Sequence, residues 1–483
     1  MLYHRLLHRV SRFLLLSAVA LAAAIAGCGS GTDTTGPVLR GNTTVVVLLS
    51  STANDQISQF NVSFNSLTLT SQSGKVVNLF TTAQKAEFMH LNGSAEPLIT
   101  VSIPEDVYTA ASLTIQSPEA HCVTLLQTGG LAIPGFFSGS TPAATVSVPS
   151  PFTVTGTAMG LLLNLQVSQS VTPANCSLTS NNPSVTPTFT LTPVTLASPP
   201  TNVQNGKMTS LVGLISSINA TTNSLTVTAA DGPTWSVQSS NSTAYQGVAG
   251  FSTLVAGLPV DLDVSIQQDG SLMASRVAVQ DANPTNLSTV SGPLLLVASS
   301  EPALVTFARE KQGFLFPQSG DDAFQLSFGN AVYQISGQFT NLQSLPFAPM
   351  LNAGTIFAGQ NVSITAHAVT FASGPTYVPA TTMTLMPQTI NGTVIAVGSE
   401  GSFTTYTVSL AAYDLIPIVA VQPGQTTATT NPSSVVVYLD SNTQQLNSKQ
   451  LTVGNVFRFN GLLFNDSGTL RLDCVQVNDG VPE

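Results

Sequence analysis

Apolar and polar side chains alternate with a period of two along most of this chain. Phe60, Val62 and Phe64 alternate with polar neighbours, as do Leu67 and Leu69 after a slip in phase at Asn65-Ser66. A strand sends successive side chains to opposite faces, so the pattern predicts half-buried strands with a bulge at the slip. Ser73-Gly74 then turns the chain into 76–80. Further strands are predicted at 98–103, 111–115, 144–148 and 161–167. Six to eight short strands with regular turns predict a β-sandwich over residues 43–196. A segment at 197–207, punctuated by Pro199-Pro200 and Asn205-Gly206, reads as a linker.

Beyond the linker a pattern recurs three times. Each unit opens on a glycine with apolar residues two and five positions later: Gly213 with Ile215 and Ile218, Gly292 with Leu294 and Val297, Gly392 with Val394 and Val397. An apolar–tyrosine pair follows (Ala244-Tyr245, Val332-Tyr333, Val437-Tyr438), then a second glycine before a new strand (Gly257, Gly359, Gly454). The first unit shows five short strands, at 211–218, 225–228, 235–239, 260–266 and 272–279. Five such strands close into a small OB-like barrel, which removes exposed sheet edges. The expected units are 208–281, 288–387 with an insertion at 346–355, and 388–479 with an insertion around 420–434. The fold class is therefore all-β, a sandwich followed by three OB-like barrels as a string of beads. An outer-membrane barrel is disfavoured, because one Trp and eight Tyr cannot make its aromatic girdles.

Phe88-Met89-His90-Leu91, Leu98-Ile99 and Pro104-Glu105-Asp106-Val107-Tyr108 through Leu113-Thr114-Ile115 resemble a bacterial lipoprotein domain family of unknown function. Members often carry Gly-x-Tyr where this chain has Asp106-Val107-Tyr108. The turn Asp269-Gly270-Ser271-Leu272 followed by Arg276-Val277 is similar to a second bacterial envelope family of unknown function, one that occurs in tandem. The third unit keeps that turn as Asp466-Ser467-Gly468-Thr469-Leu470-Arg471, whereas the second has Ser373-Gly374-Pro375. These resemblances imply an envelope location and bring no catalytic residue.

The first residues agree with that location. Arg5, Arg9 and Arg12 precede an uncharged apolar run, Phe13 to Ile25. The run is about 13 residues, roughly 20 Å as a helix, too short for a hydrocarbon core of about 30 Å. It reads as a secretory leader. Ile25-Ala26-Gly27-Cys28 resembles the lipobox of bacterial lipoproteins, which implies removal of 1–27, lipidation of Cys28 and a flexible tether at 28–42. Gly29, where an aspartate often signals inner-membrane retention, favours the outer membrane. The expectation is an exported protein anchored to a membrane by lipid.

Charge narrows the partners. Charged residues are 7% of the chain, against about 25% in ordinary soluble proteins. Of 13 Lys and Arg, three lie in the leader, leaving ten against 23 Asp and Glu. The repeats hold only Arg276, Arg309, Lys311, Lys449, Arg458 and Arg471 as cations. Nucleic acid needs clustered cations to displace counterions, so it is not expected as a partner.

Chemistry-bearing residues are sparse. Cys122 and Cys176 are expected to pair as a disulfide in an oxidising compartment, while Cys474, in an apolar strand, reads as a buried small hydrophobe. His90, His121 and His367 stand at no ligand spacing from one another, so no metal or cofactor is expected. Glu119, His121 and Cys122 read as a strand edge and Asp321-Asp322 as a solvated turn. Asp261 and Asp263 read as a polar outer face of one strand. No nucleophile elbow or phosphate loop occurs. The expected function is non-catalytic, a spacer or binding module for an envelope protein or polysaccharide. The alternatives are a surface-exposed adhesin and a periplasmic hydrolase with a site across a domain interface, for instance joining His367 to Asp321.

Overall fold

Val45 to Leu49 is a run of five apolar residues without alternation, the signature of a strand buried on both faces. In the computed structural model it lies within the strand Asn42–Ser51, paired in parallel with Ala158–Leu165 and antiparallel with Glu96–Pro104. Val45, Val47 and Leu49 face the sandwich core, and Val46 and Leu48 face the first barrel. The structure describes residue 39 and residues 41–480 except 53–56, 81, 92–94, 117–118, 126–131, 139–143, 173–183, 197–206, 299–303, 308, 314–322, 337–341, 368–377, 412–413 and 421–430. Cys28, Cys176 and the linker at 197–206 lie outside these residues, as does Asp321.

The first module is the sandwich. One sheet has five strands, ordered Glu96–Pro104, Asn42–Ser51, Ala158–Leu165, Thr188–Val194 and Thr145–Ser147. The other is built on the long strand Ile57–Ser71, which pairs with Asp106–Ile115, Glu119–Leu125, Val76–Phe80 and Gln84–Glu87. The register slips between Phe64 and Ser66, at the predicted bulge. Phe64, Phe88 and Phe189 meet between the sheets with ring centroids 5.6–6.0 Å apart, an arrangement that tilted and edge-on rings favour. The Tyr108 hydroxyl donates to the Pro104 carbonyl at 2.9 Å and its ring is fully buried. Such a tyrosine corner fixes where the chain turns from one sheet into the other.

Three barrels follow. In the first, Lys207–Asn219 pairs with Ser224–Thr228 and with Pro259–Ile266. Thr234–Gln238 and Leu272–Val279 continue the two sides and meet in parallel, which closes the ring. The third repeats this over Gln388–Glu400, Phe403–Leu410, Ser434–Leu439, Val456–Asp466 and Thr469–Asp479. The second closes through Val378–Pro379, which pairs in parallel with Ala323–Ser327. All three are OB-like.

The glycine pattern has a shared physical cause. Gly257, Gly359 and Gly454 have φ of +88°, +98° and +90°, a region that side chains disfavour. Each donates its N–H to the residue two after the first glycine: Ile215, Leu294 and Val394, at 2.8, 2.7 and 2.8 Å. Those three donate back to the carbonyls of Leu258, Gln360 and Asn455. The same reciprocal pair therefore joins the first strand to the entry of the fourth in all three barrels, the second included, though it lacks the Asp-Gly hairpin. The apolar–tyrosine pairs do not correspond as the spacing suggests. Ala244–Gln246 and Val332–Ile335 are short extra strands beside the last strand of their barrels, whereas Tyr438 lies in the third strand of its own. The matching piece there is Gln444–Gln445. A tyrosine was a coincidental marker, because the extra strand is set by backbone pairing.

The modules are fused rather than strung. Asn42–Glu483 forms one compact unit. Phe347, from the second unit's insertion, packs on Tyr438 and Phe464 of the third barrel at 5.1 and 5.7 Å. The helix Leu415–Val419, just ahead of the insertion predicted in the third unit, packs on Leu295 and Ala358 of the second. Phe347 and this helix each clamp one barrel to its neighbour.

Candidate functional site at the module junction

The junction of sandwich and barrels gathers buried carboxylates around one histidine. Gln84–Glu87 pairs with Ile57–Ser71 and runs into a short helical turn, Met89–Leu91. The first N–H groups of such a turn have no internal acceptor. The buried Glu87 carboxylate supplies one, taking N–H bonds from Phe60, Met89 and His90 at 2.9, 2.8 and 2.9 Å. Burial alone would raise its pKa, but the His90 hydrogen bond and charge, Arg309 and the Phe60 N–H together hold it below the usual value. The His90 ring stands between two carboxylates, with Nδ1 3.1 Å from Glu87 Oε2 and Nε2 3.1 Å from Glu96 Oε2.

Asp231 and Glu310 come from the barrels. The hairpin Ala229–Pro233 of the first barrel closes with Gly232 at φ +128° against the Lys85 backbone, where a Cβ would stand 3.2 Å from the carbonyl oxygen. This approach lets Asp231 Oδ2 accept the Glu87 N–H at 2.8 Å. The same hairpin seats Trp235, whose indole N–H donates to the Pro97 carbonyl at 2.7 Å. Glu310 opens the strand Glu310–Gln312, paired with Leu287–Val297 of the second barrel. Gln59 of the sandwich donates to the neighbouring Arg309 carbonyl at 3.0 Å. One donor atom each from His90, Asp231 and Glu310 lies within 4.8 Å of the others.

These acids share too little positive charge. Burial, then the charges of Glu96 and Glu310, pushes Asp231 well above the usual carboxylate range. Burial, against the opposing charge of His90, leaves Glu310 at about 7. Burial would lower His90, but the Glu310 and Glu96 charges and its hydrogen bonds raise it well above its usual value. Two cavities adjoin the cluster, of about 20 and about 60 Å³, and His90 and Arg309 line both. Cavities of this volume have room for a few waters but not for an organic substrate. A larger open groove of about 700 Å³ runs between the sandwich and the first barrel, floored by Leu98 and Trp235. Gln84, Thr100, Thr234, Ser236, Gln238 and Ser271 line it with amides and hydroxyls.

Of the residues singled out in the sequence, His90 lies at the centre of this cluster, and the other described ones fall elsewhere. His367 bonds Asp281 at 3.0 Å through Nε2 and the Thr285 carbonyl through Nδ1, across the first and second barrels. The proposed partner Asp321 is outside the described residues, as is Asp322. Asp261 and Asp263 are not an outer face. Both are buried and clamp Arg276, at 3.1 and 2.7 Å, while Ser336 donates to Asp261 at 2.5 Å. Alternation put them on one face, and the second barrel covers that face. Cys474 is a buried free thiol that burial pushes up. Cys122 falls in the strand Glu119–Leu125, but its side chain, with those of Glu119 and His121, is outside the described residues, so the Cys122–Cys176 pairing is too. Glu96, Asp231 and Glu310 were missed. The available signal was acids set among apolar residues, as in Ala86-Glu87-Phe88 and Ala95-Glu96-Pro97, in a chain with few charges.

No protein-family model matches the chain, and no curated protein does. Among solved structures, a chain described as "drosophila Unr CSD456" shares 11% identity, over 57% of this chain and 98% of that one. Its TM-score of 0.13 gives the likeness no weight for fold or function.

Proposed function

We propose that this chain is a non-catalytic protein of the bacterial cell envelope, anchored to the outer membrane through a lipid on Cys28, whose fused β-modules bind an uncharged envelope polysaccharide. The groove beside Trp235 carries this reading. It is open, has about 700 Å³ of space and sets six hydroxyl or amide side chains among apolar residues and glycines, with Asp269 the one charged residue among its described lining. Neutral hydrogen-bonding groups over an apolar floor suit a sugar polymer and do not select for charge. The small junction cavities, by contrast, leave no space for a hydrolase substrate.

The test is co-sedimentation of the full-length protein with purified insoluble envelope polysaccharide, for the wild type and for Ser236→Trp, which fills the groove. The wild type should pellet and the variant should stay in solution. Equal pelleting of both rejects the groove as the binding surface, and no pelleting of the wild type rejects the ligand. Mass spectrometry of the N-terminal peptide reads the anchor separately, as a diacylglyceryl mass on Cys28.

A further inference from the structure

We propose that His90, Glu96, Asp231 and Glu310 bind one divalent first-row transition cation, Zn²⁺ or Mn²⁺, which ties the sandwich to the first two barrels. Four observations lead there. First, ligand atoms about 2.0–2.2 Å from a shared ion stand roughly 3–4 Å from each other. The donors of His90, Asp231 and Glu310 already lie within 4.8 Å, a spread that small side-chain rotations close.

Second, Glu96 Oε1 and Asp231 Oδ1 are buried with no hydrogen-bond partner, on residues only 3% and 5% exposed. A buried carboxyl oxygen without a partner is costly, and such groups call for an explanation. A cation at the cluster satisfies both.

Third, the histidine is oriented as metal-bound histidines are. Glu87, fixed by three backbone N–H groups, stands 3.1 Å from Nδ1, which leaves Nε2 toward Glu96. A carboxylate behind one ring nitrogen sets the tautomer and makes the other a better ligand. Fourth, the cavity of about 60 Å³ bounded by His90, Glu96, Arg309 and Glu310 has room for water to complete the coordination shell. The donor set decides the class of ion. One imidazole among carboxylates suits zinc or manganese, whereas Ca²⁺ takes six to eight oxygens.

Full-length protein, stripped with chelator, is titrated calorimetrically with ZnCl₂, MnCl₂ and CaCl₂. The expected result is one equivalent of Zn²⁺ or Mn²⁺, with a rise in Tm on loading that follows from mass action. Asp231→Asn and Glu310→Gln should each lose at least ~10-fold in affinity, whereas Asp269→Asn, in an exposed turn, should bind as the wild type does. Circular dichroism shows whether the variants fold. X-ray absorption at the zinc edge of the wild type reads the shell without any variant and should show one nitrogen donor among oxygens. The assignment is overturned by no saturable binding to the wild type, by preference for Ca²⁺, by an all-oxygen shell, or by folded Asp231→Asn and Glu310→Gln proteins that bind with wild-type affinity.

Discussion

Two acidic clusters are buried where modules meet, and they are built differently. Between the first and second barrels, Asp261 and Asp263 share Arg276, and Ser336 adds a donor. At the sandwich junction, Glu87, Glu96, Asp231 and Glu310 surround His90 with Arg309 nearby; each cluster leaves buried carboxyl oxygens without a donor (Asp261 Oδ1 in the first, Glu96 Oε1 and Asp231 Oδ1 in the second), so the difference lies in the cation. The first cluster is matched by a permanent cation, because a guanidinium stays charged at any physiological pH. The second is matched only while protons, or a metal ion, supply the missing charge. An acidic cluster that carries its own guanidinium holds a fold together, whereas one short of positive charge does so only when protons or an ion make up the difference.

The comparison breaks most visibly at Arg276. Arg276→Met leaves two buried aspartates without their cation and should cost about 3–5 kcal/mol, read as a lower urea midpoint of the full-length protein. A loss below ~1 kcal/mol, within the scale of exposed ion pairs, means that the clamp is not buried in solution. Trp235→Phe keeps most of the apolar contact and removes the bond to Pro97, so about 1–1.5 kcal/mol should be lost. Because the hairpin that carries Asp231 leads directly into Trp235, the same variant should also weaken Zn²⁺ uptake in the titration above. Unchanged uptake detaches the hairpin from the site.

Glu310→Gln sharpens the contrast from the other side. Without added metal it removes one acid from a surplus, so stability at pH 7 should stay within about 1 kcal/mol of the wild type or rise. A loss as large as that of Arg276→Met would make the two clusters equivalent. The smallest effect is expected at Cys474, whose burial raises its thiol pKa. Native alkylation followed by peptide mapping should leave Cys474 unmodified, and its labelling only after denaturation would match the burial.

Much of the fold was legible because it rests on local rules. The bulge near Asn65, the recurring positive-φ glycines and the turns Asp269-Gly270 and Ser467-Gly468 are each set by a few neighbouring residues. Gly270, Ser467 and Gly468 all take positive φ, as short hairpin turns require. The tyrosine spacing misled because it lay close to, but not on, the backbone pairing that the barrels share. The run Val45 to Leu49 was informative in the same way as the turns, since only a strand covered on both sides tolerates it.

The site was not legible, for a physical reason. Glu87, His90 and Glu96 lie close together in the sequence, but Asp231 and Glu310 reach them from two other modules, and no spacing rule extends across modules. Alternation told which face of a strand Asp261 and Asp263 occupy, and it could not tell that another barrel would cover that face. Sequence by itself determined the strand pattern, the three repeats and their recurring glycines, because these depend on backbone geometry and on neighbours a few positions away. Tertiary structure alone decided which charges are buried and what they meet, because burial is a property of surfaces brought together from distant parts of the chain.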